Sequence, residues 1–101
     1  MSTYVLLGTL TDEGRKTIKE RPQRIEEVNE EVEALGGKVI AQFALLGLYD
    51  FVTVIQAADN ETIAKISVEF GSRGTIQLMT LPAFHVNSFV GQVLAADSDD
   101  G

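Results

Sequence analysis

Tyr49 and Asp50 stand side by side in "GLYDF", where two apolar runs of the chain meet. They are the adjacent pair best equipped for chemistry. An aspartate can act as a base or accept a ligand's hydrogen bond, and a tyrosine hydroxyl beside it can donate one. The same residues also suit a turn. Gly47 would supply a positive φ, Asp50 would bond nearby amides, and Tyr49 would pack its ring at the rim of a core. Neighbouring strand residues point to opposite faces, so the two side chains need not serve one ligand. Gly47, Tyr49 and Asp50 therefore stand as candidate ligand-binding residues with both readings open.

His85, the sole histidine, joins them as a candidate. Its ordinary pKa near neutrality suits acid–base work or haem ligation. It has no carboxylate close in sequence, which equally fits a surface residue at a strand end. Five of the eight cations, Arg15, Lys16, Lys19, Arg21 and Arg24, cluster just before an acidic stretch from Glu26 to Glu33. They can form an anion-attracting entrance to a pocket under the first helix, or complementary patches between subunits. They can also be a solvated helix carrying pairs such as Asp12 with Lys16 and Glu20 with Arg24. "GSRG" at 71–74 follows a helix and lacks the lysine of a phosphate loop, so it reads as a helix end.

Other chemistries are excluded or unsupported. The chain has no cysteine, which removes disulfides, thiolate metal sites and thiol nucleophiles. No clustered metal ligands, Ser-His-Asp order or dinucleotide fingerprint can be assembled, so neither a metal nor a cofactor is expected. Net charge is −7, and −4 without the three acids of the final "AADSDDG". An acidic body repels phosphate backbones and argues against a nucleic-acid partner. The N-terminal apolar run is too short to span a bilayer and lacks a basic start, so no membrane association is expected and a cytoplasmic location is.

These residues need a frame to hold them. The 101 residues suggest one domain, over 1–94, with 95–101 a disordered acidic tail. Apolar and β-branched runs predict strands over 3–10, 38–46, 50–57 and 75–84. Thr11 caps a first helix, which Pro22 must kink or interrupt. Ile25, Val28, Val32 and Leu35 then recur on one face, extended backward by Ile18, until Gly36-Gly37 ends the helix. Asp59-Asn60 opens a second helix buried through Ile63, Ile66 and Phe70. A short helix over 86–94 is expected to bury Val86, Phe89, Val90 and Val93. The order β-α-β-β-α-β is the ferredoxin-like α+β arrangement, an antiparallel sheet with two helices on one face.

Both faces of that sheet are apolar. Strict alternation puts Val39, Ala41, Phe43 and Leu45 on one face of the second strand, and Ile40, Gln42, Ala44 and Leu46 on the other. The third strand sorts Phe51, Thr53 and Ile55 against Val52 and Val54. The fourth sorts Met79 and Leu81 against Ile76, Leu78 and Phe84. Two helices cover one face, and the other exceeds what soluble monomers usually expose. A second copy packed sheet to sheet is the simplest cover. Shielding by the last helix is the alternative.

"GLYDFV" at the hairpin, "LTDEGRKTIKERPQR" after the first strand, "ALGGKV" and "GSRGTIQLMTLPAF" together resemble the bacterial and archaeal GYD family, named for a Gly-Tyr-Asp motif. The resemblance runs over about residues 3–94. Leu48 intervenes between Gly47 and Tyr49, a departure the family tolerates, so Gly47, Tyr49 and Asp50 are the corresponding positions. The resemblance implies a ferredoxin-like fold of the dimeric α+β barrel type. Related barrels include monooxygenases and ligand-sensing modules, and a shared fold does not carry function. Two readings follow. The first is a homo-oligomeric small-molecule-binding or assembly and regulatory module. The second is a cofactor-independent oxygenase or isomerase using Tyr49, Asp50 or His85 in a pocket between helices and sheet.

Overall fold

A computed structural model describes the backbone of residues 1–100 and the side chains of residues 1–95. The acidic tail expected over 95–101 lies, apart from Ala95, outside the described side chains. The elements are β1 (Ser2–Leu10), α1 (Asp12–Glu20), α2 (Arg24–Ala34), β2 (Lys38–Ala44), β3 (Phe51–Ala57), α3 (Asn60–Gly71), β4 (Ile76–Ala83) and α4 (Val86–Asp100). The sheet order is β2-β3-β1-β4 with every neighbouring pair antiparallel, which is the expected ferredoxin-like α+β topology.

Local chemistry sets most of the boundaries. Thr11 caps α1, its hydroxyl accepting from the Gly14 amide at 3.1 Å. At Pro22 the helix breaks cleanly instead of kinking. Arg21 takes φ −141° and ψ 78°, outside the helical region that a following proline ring disfavours, and α2 restarts at Arg24. The expected Glu20–Arg24 helical pair is lost with that break, and Asp12 bonds Arg15 at 3.1 Å instead of Lys16. Gly36 ends α2 at φ 103°, and the Gly37 amide reaches back to the Val32 carbonyl at 3.0 Å. Asp59 caps α3 by accepting from the Thr62 amide at 2.9 Å.

The core lies between the helices and one face of the sheet. Tyr4, Leu6, Ile55 and Ala57 of the sheet meet Val32 of α2 and Ile63, Ile66 and Phe70 of α3. The Tyr4 hydroxyl reaches the layer's edge and donates to Asn60 at 2.6 Å, so its burial leaves no polar group stranded. Ser67 and Thr80 share a 2.7 Å hydroxyl contact that ties α3 to β4.

Three expectations about the sheet and its last helix are corrected. The β2–β3 ladder slips between Val39 and Ala41, leaving Ile40 as an extra residue. A bulge of this kind inverts the alternation beyond it. Val39, Gln42 and Ala44 consequently oppose the inward Ile55, Thr53 and Phe51, while Ala41 and Phe43 oppose the outward Val54 and Val52. Phe84 has left the strand and stacks with Phe89 at a 6.4 Å centroid distance. Finally, α4 does not bury Val86, Phe89, Val90 and Val93, which stay 44–63% exposed. The radius of gyration is 16.3 Å, against about 13 Å for a compact chain of 100 residues. That excess fits a terminal helix standing off the body. It does not shield the outer sheet face.

Candidate functional site

A cavity of about 180 Å³ opens between the helices and the inner face of the sheet. Its floor is Leu6, Gly8 and Leu10 of β1, flanked by Phe51 and Thr53 on β3 and by Ile76 and Leu78 on β4. Its roof is Ile18 of α1, Ile25 and Val28 of α2, and Ile66 and Phe70 of α3. The roof over β1 depends on a close approach. A Cβ on Gly14 would lie 2.0 Å from the Thr75 carbonyl oxygen, so the absence of a side chain seats α1 against the start of β4. The Thr11 amide and hydroxyl anchor that seat, donating to the Thr75 and Gly74 carbonyls at 3.0 and 2.8 Å.

One polar row crosses this apolar wall. Asn29 of α2 donates to the Gln42 side-chain carbonyl at 2.8 Å, and Gln42 donates to the Thr53 hydroxyl at 3.0 Å. At the rim, Glu31 of α2 accepts from Arg24 at 2.9 Å and from Arg73, just past α3, at 2.5 Å. Arg24 also meets Glu27 at 3.3 Å, Arg73 meets Glu69 at 3.1 Å, and Arg21 bonds Glu27. The Arg73 and Arg24 guanidiniums hold the Glu31 carboxyl below its ordinary range, and Glu31 raises both guanidiniums in return. Arg73 also lies over the Phe70 ring at 4.6 Å. Of the five cations expected to attract anions, Arg24 alone lines the cavity, and it is already paired.

The residues singled out by sequence lie elsewhere. Gly47 has φ 118° and turns the chain between β2 and β3. Asp50 acts one strand away from its own turn. Its amide donates to the Gly8 carbonyl at 2.8 Å, and its carboxylate accepts from the Leu10 amide at 2.7 Å. The carboxylate thereby takes the place of a main-chain carbonyl where the β1–β3 ladder runs out. Tyr49 points to the outer face, its hydroxyl 4.0 Å from the Met79 sulfur in a shallow hollow with Leu7 and Gln77. His85 precedes α4, its Nδ1 accepting from the Asn87 amide at 3.0 Å. Thr3 pairs with Ala83 and Gly8 with Phe51, which puts Ala83 and Phe51 roughly 17 Å apart along the sheet at ~3.3 Å per residue, and His85 and Asp50 lie beyond them at opposite ends. Among the described residues, Tyr49 lines the outer hollow, and neither Asp50 nor His85 lines that hollow or the inner cavity. Among the described residues, no three His, Asp or Glu side chains gather to hold a metal ion.

Sequence reading passed over the cavity's polar lining. Gln42 and Thr53 carried a signal, as polar residues within otherwise apolar strand sets, but alternation alone put Gln42 in the wrong company. Arg73 and Glu31 are separated by 42 positions and gave none.

Four antiparallel strands in this order, with helices on one face and a cavity between the layers, define a ferredoxin-like α+β domain. The GYD domain family model matches residues 4–93, and the chain belongs to that family. A relative from Thermus thermophilus, named glutamine synthetase and cystathionine beta-lyase binding protein, is 44% identical over 94 residues, covering 92% of this chain and 99% of its own. A crystal structure from the same organism matches with a TM-score of 0.53 at 22% identity, over 84% of this chain and 95% of that one. At that identity the likeness concerns the fold alone. Among the described residues no helix is long and apolar enough to cross a membrane.

Proposed function

We propose that this chain, a single domain over residues 1–94, is a cytoplasmic binding module. In this reading it pairs with a second copy through its open sheet face, engages enzyme partners as that assembly, and holds a small molecule in the cavity behind the sheet. The observation that carries the proposal is the outer face. Val5, Leu7, Phe43, Val52, Val54, Met79 and Leu81 point away from the helices in the observed register, and among the described residues no helix packs over them. Four strands ~4.8 Å apart and about seven residues long make a plane of roughly 450 Å², within the upper range of apolar patches on monomers before α4 is added. The exposed stripe of Val86, Phe89, Val90 and Val93 adjoins the end of β4 and enlarges the surface offered to a copy.

The name of the Thermus relative supports the engagement of enzymes, since a binding protein acts by contact and this chain matches nearly its whole length. Enzymes of nitrogen and sulfur amino-acid metabolism are the partner class to try first. Light scattering after size exclusion is expected to give at least two chains. Leu81→Glu with Phe43→Glu should return the mass of one. A wild-type monomer at micromolar concentration would sink the pairing.

A further inference from the structure

We infer that the cavity takes an uncharged, single-ring molecule bearing a carbonyl group, with the Thr53 hydroxyl as its hydrogen-bond donor. This rests on the cavity being a ligand site and goes on to name what fits it. Size comes first. An engineered apolar cavity of about 150 Å³ lined by Leu, Ile and Phe binds benzene; this one is about 180 Å³ with walls of the same residue types. There is room for a ring and a short substituent, and not for a nucleotide or a long acyl chain.

Charge comes next. Among the described residues no aspartate or glutamate lines the cavity, so a cation would enter without a counter-ion. Two guanidiniums do line it, those of Arg24 and Arg73, but both are turned to Glu31. Across the rim, Arg21, Arg24 and Arg73 are matched by Glu27, Glu31 and Glu69. An anion would have to displace Glu31 from two charge-assisted bonds to find a partner.

The polar row supplies the remaining specificity. Asn29 donates to Gln42 and Gln42 to Thr53, so the relay runs in one direction and ends on a hydroxyl. That hydroxyl has accepted a bond and still holds its own proton. Among the described residues nothing accepts that proton. Asn29, Gln42 and Thr53 are half-buried and all three line the cavity, so a molecule held there lies within reach of the row. A ligand carbonyl beside Thr53 would complete the row, and the ring would lie on Leu6, Val28 and Leu78.

The test uses the full chain in its native assembly with three probes, acetophenone, ethylbenzene and benzoate, titrated by calorimetry and mapped by methyl and amide NMR. Acetophenone is expected to bind and to shift Thr53, Gln42 and Val28. Ethylbenzene should bind about tenfold more weakly, as the loss of one net hydrogen bond implies, and benzoate should not bind. Thr53→Val should lower acetophenone to the affinity of ethylbenzene and leave ethylbenzene unchanged. Val28→Phe and Leu78→Phe, each checked for a cooperative melt, should block both. Benzoate binding as well as acetophenone at the same resonances would overturn the ligand class and leave the cavity as a site. No binding by any probe, or shifts confined to the outer sheet face, would overturn both.

Discussion

The two faces of the sheet are made of nearly the same residue types and end in opposite environments. Tyr4, Leu6 and Ile55 on the inner face are at most 5% exposed, while Phe43, Met79 and Leu81 on the outer face are 41–62% exposed. Hydrophobicity does not separate them. What separates them is a partner: α2 and α3 carry apolar stripes with the spacing to cover one face, while the α4 stripe meets Phe84 through Phe89 and leaves the outer face uncovered among the described residues. An apolar surface with an intramolecular partner is core, and the one without is the face that the proposed pairing would cover.

The sharpest way to break that contrast is to make matched truncations. Ile66→Ala, at a fully buried position against the inner face, is expected to cost about 3 kcal/mol in urea unfolding, as removal of buried methyl groups usually does. Phe43→Ser removes a larger side chain from the outer face. It should leave the fold of the chain intact while lowering the mass seen by light scattering. A comparable loss of folding stability in both would mean that the two faces are not different in kind.

Asp50 offers the next largest effect. Asp50→Ala leaves the Leu10 amide without its acceptor and should cost roughly 1–3 kcal/mol. Asp50→Asn keeps an oxygen in place and should cost less. If both variants melt like the wild type, the carboxylate is not closing the ladder and its part as a ligand-binding residue gains weight. Tyr49→Phe, which removes only a hydroxyl in contact with Met79, should change stability by less than about 0.5 kcal/mol.

The pH response of the rim is also expected to be small. Glu31 is held below the ordinary carboxylate range by Arg73 and Arg24. A lowered carboxyl contributes its stability above its unfolded pKa and loses it as pH falls through the lowered value. With 35% of the side chain exposed, solvent screening limits the contribution to a few tenths of a kcal/mol up to about 1. Melting of the wild type should therefore lose slightly more than that of Glu31→Gln between about pH 5 and pH 2, beyond what the other carboxylates contribute to both. Parallel curves would show that the rim is held by something else.

Sequence legibility followed the range of the interactions. The caps at Thr11 and Asp59, the helix end at Gly36 and the stripe of Val28, Val32 and Leu35 all depend on residues within a turn or two, and they stand where expected. The proline break was half legible. Pro22 had to disturb the helix, but whether α1 and α2 would separate depended on Arg21 finding room in a non-helical conformation. Asp50 was singled out correctly as unusual. Its partner, Leu10, lies 40 positions away, and no local pattern names it.

The sequence by itself determined the strand and helix order, the absence of thiol chemistry, the acidic body and the two apolar faces, because composition and short periodicities suffice for those. Tertiary structure decided the rest. One extra residue at Ile40 turned Gln42 inward to meet Asn29 and Thr53, and the meeting of Arg24, Glu31 and Arg73 closed the rim in charge. Both depend on how distant segments register against each other. That register is set by packing and ladder hydrogen bonds that no single segment contains.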